Sequence, residues 1–207
     1  MTGESKGGGR RERRAAATRN SILEAAHRLF VERGYAATSI GEIADEADVA
    51  VQTIYSSVGS KRELLGALLG RLDEQAGVPD YGKKVRTERD PREVLRLGVR
   101  ISRGFPEHNG DLLKALQSAA AVEPEMAEAL AEGLRRHRMG SRFIVDTVRE
   151  RGGLREEIGL DGGAARFATL TQFTVWFQLT DDYGWSFDEV EEWMVATLID
   201  QLLDEGG

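Results

Sequence analysis

The chain has 207 residues, a net charge of −7 and no cysteine. Such a length buries a core without cross-links, and the missing thiols exclude a disulfide framework, thiolate metal ligation and thiol redox chemistry. No apolar run long enough to cross a bilayer occurs, and the glycine-rich, basic opening Met1–Arg14 lacks the apolar stretch of a secretory signal. A cytoplasmic protein is therefore expected.

The charge is unevenly distributed. Residues 1–20 carry six basic side chains against two acidic ones, a surplus of four, so the rest of the chain holds −11. A basic arm ahead of an acidic body suits a molecule whose amino-terminal end alone meets phosphate; a solvated tail would show the same composition.

In chain order, the pattern predicts helices throughout. From Ala15 to Arg33, Ile22, Leu23, Ala25, Ala26, Leu29 and Phe30 recur at three- and four-residue spacing, and Gly34 ends the helix. Ser39-Ile-Gly-Glu42 is a capping box for a short helix through Ala47, and a second short helix follows from Ala50 to Ser57. Ser60-Lys-Arg-Glu63 opens a longer helix with Leu64, Leu65, Leu68, Leu69 and Leu72. The polar residues from Gly77 to Arg89 are expected to form a loop. Asp90-Pro91-Arg92-Glu93 begins a helix that should stop near Pro106. A separate short helix is expected from Asp111 to Val122, and a long one from Pro124 to Arg151, broken by Gly152-Gly153. Asp161 to Tyr183 is apolar on nearly every side, which predicts one helix buried on more than one face. Ser186-Phe-Asp-Glu189 caps the last helix, along which Val190, Trp193, Met194, Thr197, Leu198, Gln201 and Leu202 keep heptad-like spacing. The fold class is all-α.

Thr38 to Lys61 carries the most specific signal. Two short helices joined by a tight turn at Ala47-Asp48-Val49, flanked by longer helices, form a helix-turn-helix able to place its second helix in a major groove. Ile40, Ile43, Ala44, Ala47, Val49 and Ile54 are small or branched enough for the helices to cross closely. Val51, Gln52, Thr53 and Ser56 are then free to meet base edges. Gln52 matches adenine, Thr53 offers a hydroxyl or a methyl, and Val51 offers apolar contact to a thymine methyl. Thr38, Ser39, Tyr55 and Lys61 are placed for backbone phosphates. That helix has neither arginine nor lysine, which disfavours guanine readout.

These residues resemble the tetracycline-repressor (TetR/AcrR) family of bacterial regulators. The resemblance is carried by Leu29-Phe30, Gly34-Tyr35, Thr38-Ser39-Ile40, Ile43-Ala44, Ala47, Val49, Thr53-Ile54-Tyr55 and Ser60-Lys61 with Leu64, roughly the first third of the chain. It implies a three-helix DNA-binding head on a helical ligand-binding and dimerisation body. Four positions depart from the family's pattern: Asp48 replaces the turn glycine, Ala50 the capping hydroxyl, and Ser57 and Val58 the usual aromatic or histidine and the phenylalanine that follows it. The expected division is a basic arm over 1–14, a DNA-binding domain over 15–62 and an effector-binding and dimerisation domain over 63–207.

The partners this implies are a palindromic duplex operator, a small-molecule effector and a second copy of the chain. Packing of the last two helices against the partner's is expected. Phe105, Leu112, Leu116, Met126, His137, Phe143, Gln172 and Trp176, large or polar members of inward faces, are the candidate effector-binding residues. His137 is read either as a hydrogen-bonded core histidine or as a polar group of that pocket. The three histidines lack metal-ligand spacing, and no phosphate loop or nucleophile–base pair is present, so no metal, cofactor or catalytic residue is expected. The competing expectation is a helical dimeric small-molecule-binding or interaction protein whose head no longer binds DNA.

Overall fold

A computed structural model describes residues 8–204. The chain forms ten α-helices and one π-helical turn among these residues: α1 Gly8–Arg33, α2 Ile40–Glu46, α3 Val51–Ser57, α4 Lys61–Gln75, α5 Val78–Thr87, α6 Pro91–Ala119, α7 Pro124–Glu150, α8 Gly159–Leu170, α9 Phe173–Phe177, the π-helical Gln178–Asp182, and α10 Phe187–Leu202. An isolated antiparallel bridge between Leu154 and Leu203 is the one β-type pairing among the described residues. Two compact units arise: the chain through Arg71 with Lys114–Ala129, and Leu72–Leu113 with everything from Leu130 onward.

The first unit is built on α1. Ile22, Leu23, Ala25, Ala26, Leu29 and Phe30 are buried, and α2 and α3 pack on this stripe and on each other. Leu64, Leu65 and Leu68 of α4 and, from the later segment, Leu116 and Met126 are also buried here. Gly34 ends α1 with φ 85°, a left-handed conformation that glycine takes without a side-chain clash.

Four expectations are corrected. The arm does not end at Arg14: α1 already begins at Gly8, so Arg10, Arg11, Arg13 and Arg14 lie on exposed helical turns ahead of the buried stripe. The remainder of the arm, residues 1–7, falls outside the described residues. The expected loop at 77–89 contains α5, which starts at left-handed Gly77, has Pro79 and Asp80 in its first turn and Lys84 and Arg86 in its last, and buries Val85. That charge order matches the helix dipole, and a proline in the first turn costs no hydrogen bond.

The expected break near Pro106 is a kink instead. α6 runs on to Ala119, and the departure falls at Asn109 (φ −137°, ψ 25°), three residues after the proline has removed one backbone donor from the ladder. The single helix expected over 161–183 is three segments. Thr171 donates its hydroxyl to the Phe167 carbonyl at 2.7 Å, and Gln172 turns extended (φ −64°, ψ 139°), which restarts the chain as α9.

The second unit has a continuous apolar core that includes Val85, Val94, Leu95, Val99, Ile144, Val145, Val148, Phe167, Trp176, Val190, Met194, Leu198 and Leu202. The i, i+4 series Val190, Met194, Leu198, Leu202 shows that α10 lays one stripe into it. Trp193, on the expected stripe, is instead 38% exposed. An ion-pair network joins α6 to α10: Arg103 binds Glu107, Asp188 and Glu191, and Arg100 binds Glu191 at 2.7 Å. Glu191 is buried, so these two guanidiniums are what make its charge tolerable there.

Close packing in this unit gives a direct test. A Cβ added to Gly104 of α6 would lie 2.6 Å from the Ala76 Cα, whereas one added to Gly133 of α7 meets nothing within 4 Å. Gly104→Ala should cost about 1–3 kcal/mol by overpacking. Gly133→Ala should instead stabilise by about 0.5–1 kcal/mol through helix propensity. Thermal melts that move in opposite directions are the expected outcome; shifts of one sign would contradict the packing described.

Candidate nucleic-acid interface

The recognition element begins with a secure α2. Ser39 is its N-cap: the Oγ accepts from Glu42 N–H at 3.2 Å, and Glu42 Oε2 accepts from Ser39 N–H at 2.8 Å. The Ser39 N–H and the Ser39 hydroxyl, both bonded to the Glu42 carboxylate at 2.8 Å, hold it below its usual range. Ala47 ends α2, and the chain turns at Asp48, whose φ of 53° is the one positive value among the described non-glycine residues. Asp is among the few residues that tolerate this region, so the missing turn glycine does not disrupt the motif. Val49 N–H then donates to the Ala44 carbonyl at 3.0 Å and closes the turn.

α3 follows with Ala50 at its N-cap and no side-chain capping bond, a loss of about 1 kcal/mol relative to a hydroxyl or Asx cap. Compensation comes from α1. Arg19 donates to the Ser57 carbonyl at 2.6 Å, placing a cation at the negative end of α3, and Ser21 Oγ reaches the Ala47 carbonyl at 3.4 Å. Arg28 pairs with Glu46 and Arg33 with Glu42, both at 2.9 Å on the surface between α1 and α2. No motif in the sequence announces these four contacts, because their partners lie 9 to 38 positions apart.

In seven residues α3 buries only Ile54. Val51, Gln52, Tyr55 and Ser56 are exposed, Tyr55 by 52%, and Thr53 is half-buried. These five sequence-predicted contacts therefore share one short helix. Ser56 donates its hydroxyl to the Thr53 carbonyl at 3.1 Å and keeps its oxygen as an acceptor.

Ser39 is exposed beside this surface, but its hydroxyl is already in the capping box. Thr38 is a correction. Its side chain is buried, its hydroxyl bonds the carbonyls of Gly34 (2.8 Å) and Leu29 (3.2 Å), and its amide bonds the Tyr35 carbonyl. It ties off the carboxyl end of α1 and offers no free group to a phosphate. Lys61 is half-buried with its ammonium 4.1 Å from the centre of the Tyr35 ring and 3.4 Å from the Ala36 carbonyl. Burial pushes its pKa down, against nearby Glu123, Glu125 and Glu42.

Tyr35 links this corner to the start of α7. Its hydroxyl donates to Glu125, and burial, followed by that bond, raises its pKa. Arg62 binds Glu128 at 2.8 Å in the same unit.

The proposed effector residues are not one set. Leu116 and Met126 are buried in the first unit, and the other six belong to the second. There Leu112 is buried, Phe105 is half-buried, and Phe143 lies under the Arg86 guanidinium of α5 at 4.8 Å. Half-buried His137 donates from Nε2 to the Ala168 carbonyl at 2.9 Å, and burial lowers its pKa. Gln172 is the N-cap position of α9, and Trp176 is fully buried and stacked on Phe187. No helix of the described residues is long and apolar enough to cross a membrane.

Residues 22–68, from the apolar stripe of α1 to the middle of α4, match the family described as bacterial regulatory proteins, tetR family. The transcriptional activator FasR of Mycolicibacterium smegmatis is 35% identical over 53% of this chain and 50% of its own length. A protein of Escherichia coli K12 named "Probable acrEF/envCD operon repressor" is 30% identical over 66% of this chain and 61% of its own. The match thus spans about half to three fifths of these relatives. The ketosteroid transcriptional regulator KstR2 of Mycobacterium tuberculosis shares the fold, with a TM-score of 0.63 at 23% identity, covering 90% of this chain and 95% of that one. The helix-turn-helix geometry and these matches make the head, residues 22–68, similar to that of the TetR family of bacterial regulatory proteins.

Proposed function

We propose that the protein is a cytoplasmic, homodimeric transcriptional regulator that binds a palindromic duplex operator and is released from it by a small molecule. One observation carries this reading: α3 spends a single residue, Ile54, on packing and leaves Val51, Gln52, Tyr55 and Ser56 exposed. A helix held so rigidly and used so little for the core is suited to entering a major groove. Gln52 reads adenine, Val51 and Thr53 contact thymine methyls, and Tyr55 reaches a phosphate. The exposed arginines of the first turns of α1 supply phosphate contacts that α3, with no basic residue, lacks. Ser39 acts through its capped helix terminus, and Lys61 meets phosphate only by leaving Tyr35. Operator occupancy represses wherever the site overlaps a promoter.

The alternative with an inactive head has lost its support. It rested on Asp48, Ala50 and Ser57, and the positive φ of Asp48 and the Arg19 bond to the Ser57 carbonyl accommodate these departures. The dimer is read from the 161–183 segment and α10, with Trp185 just before α10 and Trp193 on it each more than one third exposed and packed edge-on at 6.0 Å. An effector site is assigned to the second unit, around Leu112, Gln172 and Trp176.

Anisotropy titration with the intergenic DNA beside the coding gene tests the reading. Affinity should fall steeply with salt, and Gln52→Ala should weaken binding by about 1–3 kcal/mol at one base position and relax preference there. Deleting residues 1–14 should reduce the logarithmic salt slope by up to about four; an unchanged slope would make the arm a bystander. Salt-insensitive binding, or none, would overturn the regulator reading. Sedimentation at micromolar concentration should give a dimer, and a stable monomer would contradict the interface.

A further inference from the structure

Lys61 is a cation in an unfavourable place. It is the first residue of α4, where the free N–H groups and the helix dipole already present positive charge. It is also half-buried, at a cost in hydration. Its ammonium nevertheless stays against the protein, 4.1 Å from the centre of the Tyr35 ring and 3.4 Å from the Ala36 carbonyl.

The ring that receives it is itself tied to a carboxylate. Tyr35 is buried, and its hydroxyl donates to Glu125 in the first turn of α7. A phenol bonded to a carboxylate shifts electron density toward its ring, and a richer ring face attracts a cation more strongly. Glu125 therefore acts on Lys61 through the ring as well as by its own charge. Glu123, half-buried just ahead of α7, adds to the field at the ammonium. Other carboxylates of the unit are engaged elsewhere: Ser39 and Arg33 hold Glu42, and Arg62 holds Glu128. Lys61, Tyr35 and the segment bearing Glu123 and Glu125 all belong to the first compact unit.

A DNA phosphate offers Lys61 the same thing, an anion with accepting oxygens. The ammonium cannot serve both, because it reaches a phosphate only by leaving the Tyr35 face. Each state of Lys61 is therefore stabilised at the expense of the other.

We propose that Glu125, acting through Tyr35, is a positioning residue that holds Lys61 in competition with DNA phosphate, so that the start of α7 brakes the DNA contact of the head. This rests on the reading of the chain as a DNA-binding regulator and adds to it a contact within the chain that restrains binding.

A double-mutant cycle on the full-length protein tests it, with anisotropy titration of a duplex from the intergenic DNA beside the coding gene. Glu125→Gln keeps the size of the side chain and an acceptor for Tyr35 while removing the charge. It should tighten DNA binding by about threefold to fivefold, the range of a partly exposed ion pair. In the Lys61→Gln protein the same substitution should bring no gain. An equal gain in both backgrounds would show only the loss of a repelling charge and would overturn the proposal, as would no gain, or weaker binding, in the protein that keeps Lys61. Lys61→Gln alone should weaken binding; unchanged affinity would remove Lys61 from the DNA contact and sink the brake, with the regulator reading intact. If Glu125→Gln fails to fold, Glu123→Gln carries the same cycle, with a smaller gain of the same sign expected only where Lys61 is present. An unaltered protein that does not bind the duplex even at low salt would overturn the regulator reading itself, and the brake with it.

Discussion

The head depends on a single economy: α3 must be held by one buried side chain, Ile54, so that the rest of its surface is available. Full burial of one isoleucine is worth about 1.5–3 kcal/mol, too little to orient a seven-residue helix that would not form alone in water. The orientation is completed from outside the helix. Asp48 takes the turn in left-handed conformation, Val49 closes it on Ala44, and Arg19 anchors the far end at Ser57. The same economy explains Thr38, whose hydroxyl is spent on the carboxyl end of α1. Groups that looked available as phosphate ligands are partly the price of the geometry.

Much of the head was legible because its signals are local. A capping box, a glycine stop and an apolar stripe act within one helical turn, so Ser39, Gly34 and Ile22 to Phe30 set boundaries that tertiary packing did not move. The exposed face of α3 followed from knowing which positions had to be inward. What the sequence hid was long-range or polar. Arg19, Arg28 and Arg33 find partners across the motif, and nothing in a linear pattern distinguishes them from solvated charge. α5 was hidden by its polarity, since it buries Val85 and little else, although its charge order and first-turn proline were present to be read.

The body was harder, for a reason visible in α6 and α9. A proline reads as a stop, but a helix can pass through a proline, and α6 runs through Pro106 with its non-helical residue three positions later at Asn109. The apolar run at 161–183 was read as one helix because it has no glycine or proline inside its second half. Thr171 ended it by bonding its own helix's carbonyl, and the break turns Trp176 into the core. The effector residues chosen from inward faces were mixed for the same cause: Leu116 and Met126 are inward, but toward the first unit. Inwardness can be read from period, whereas the neighbour across the interface cannot.

The central claim is that the exposed face of α3 selects A·T-rich base edges from two successive major grooves. Selection of bound duplexes from a random-sequence library, with sequencing of the retained pool, tests it most directly. The account predicts a two-fold symmetric site whose half-sites lie about one helical turn apart, with adenine and thymine dominating the positions opposite Gln52 and Val51. A retained pool with no symmetric motif, or half-sites dominated by guanine contacts that survive replacement of both residues by alanine, would contradict it.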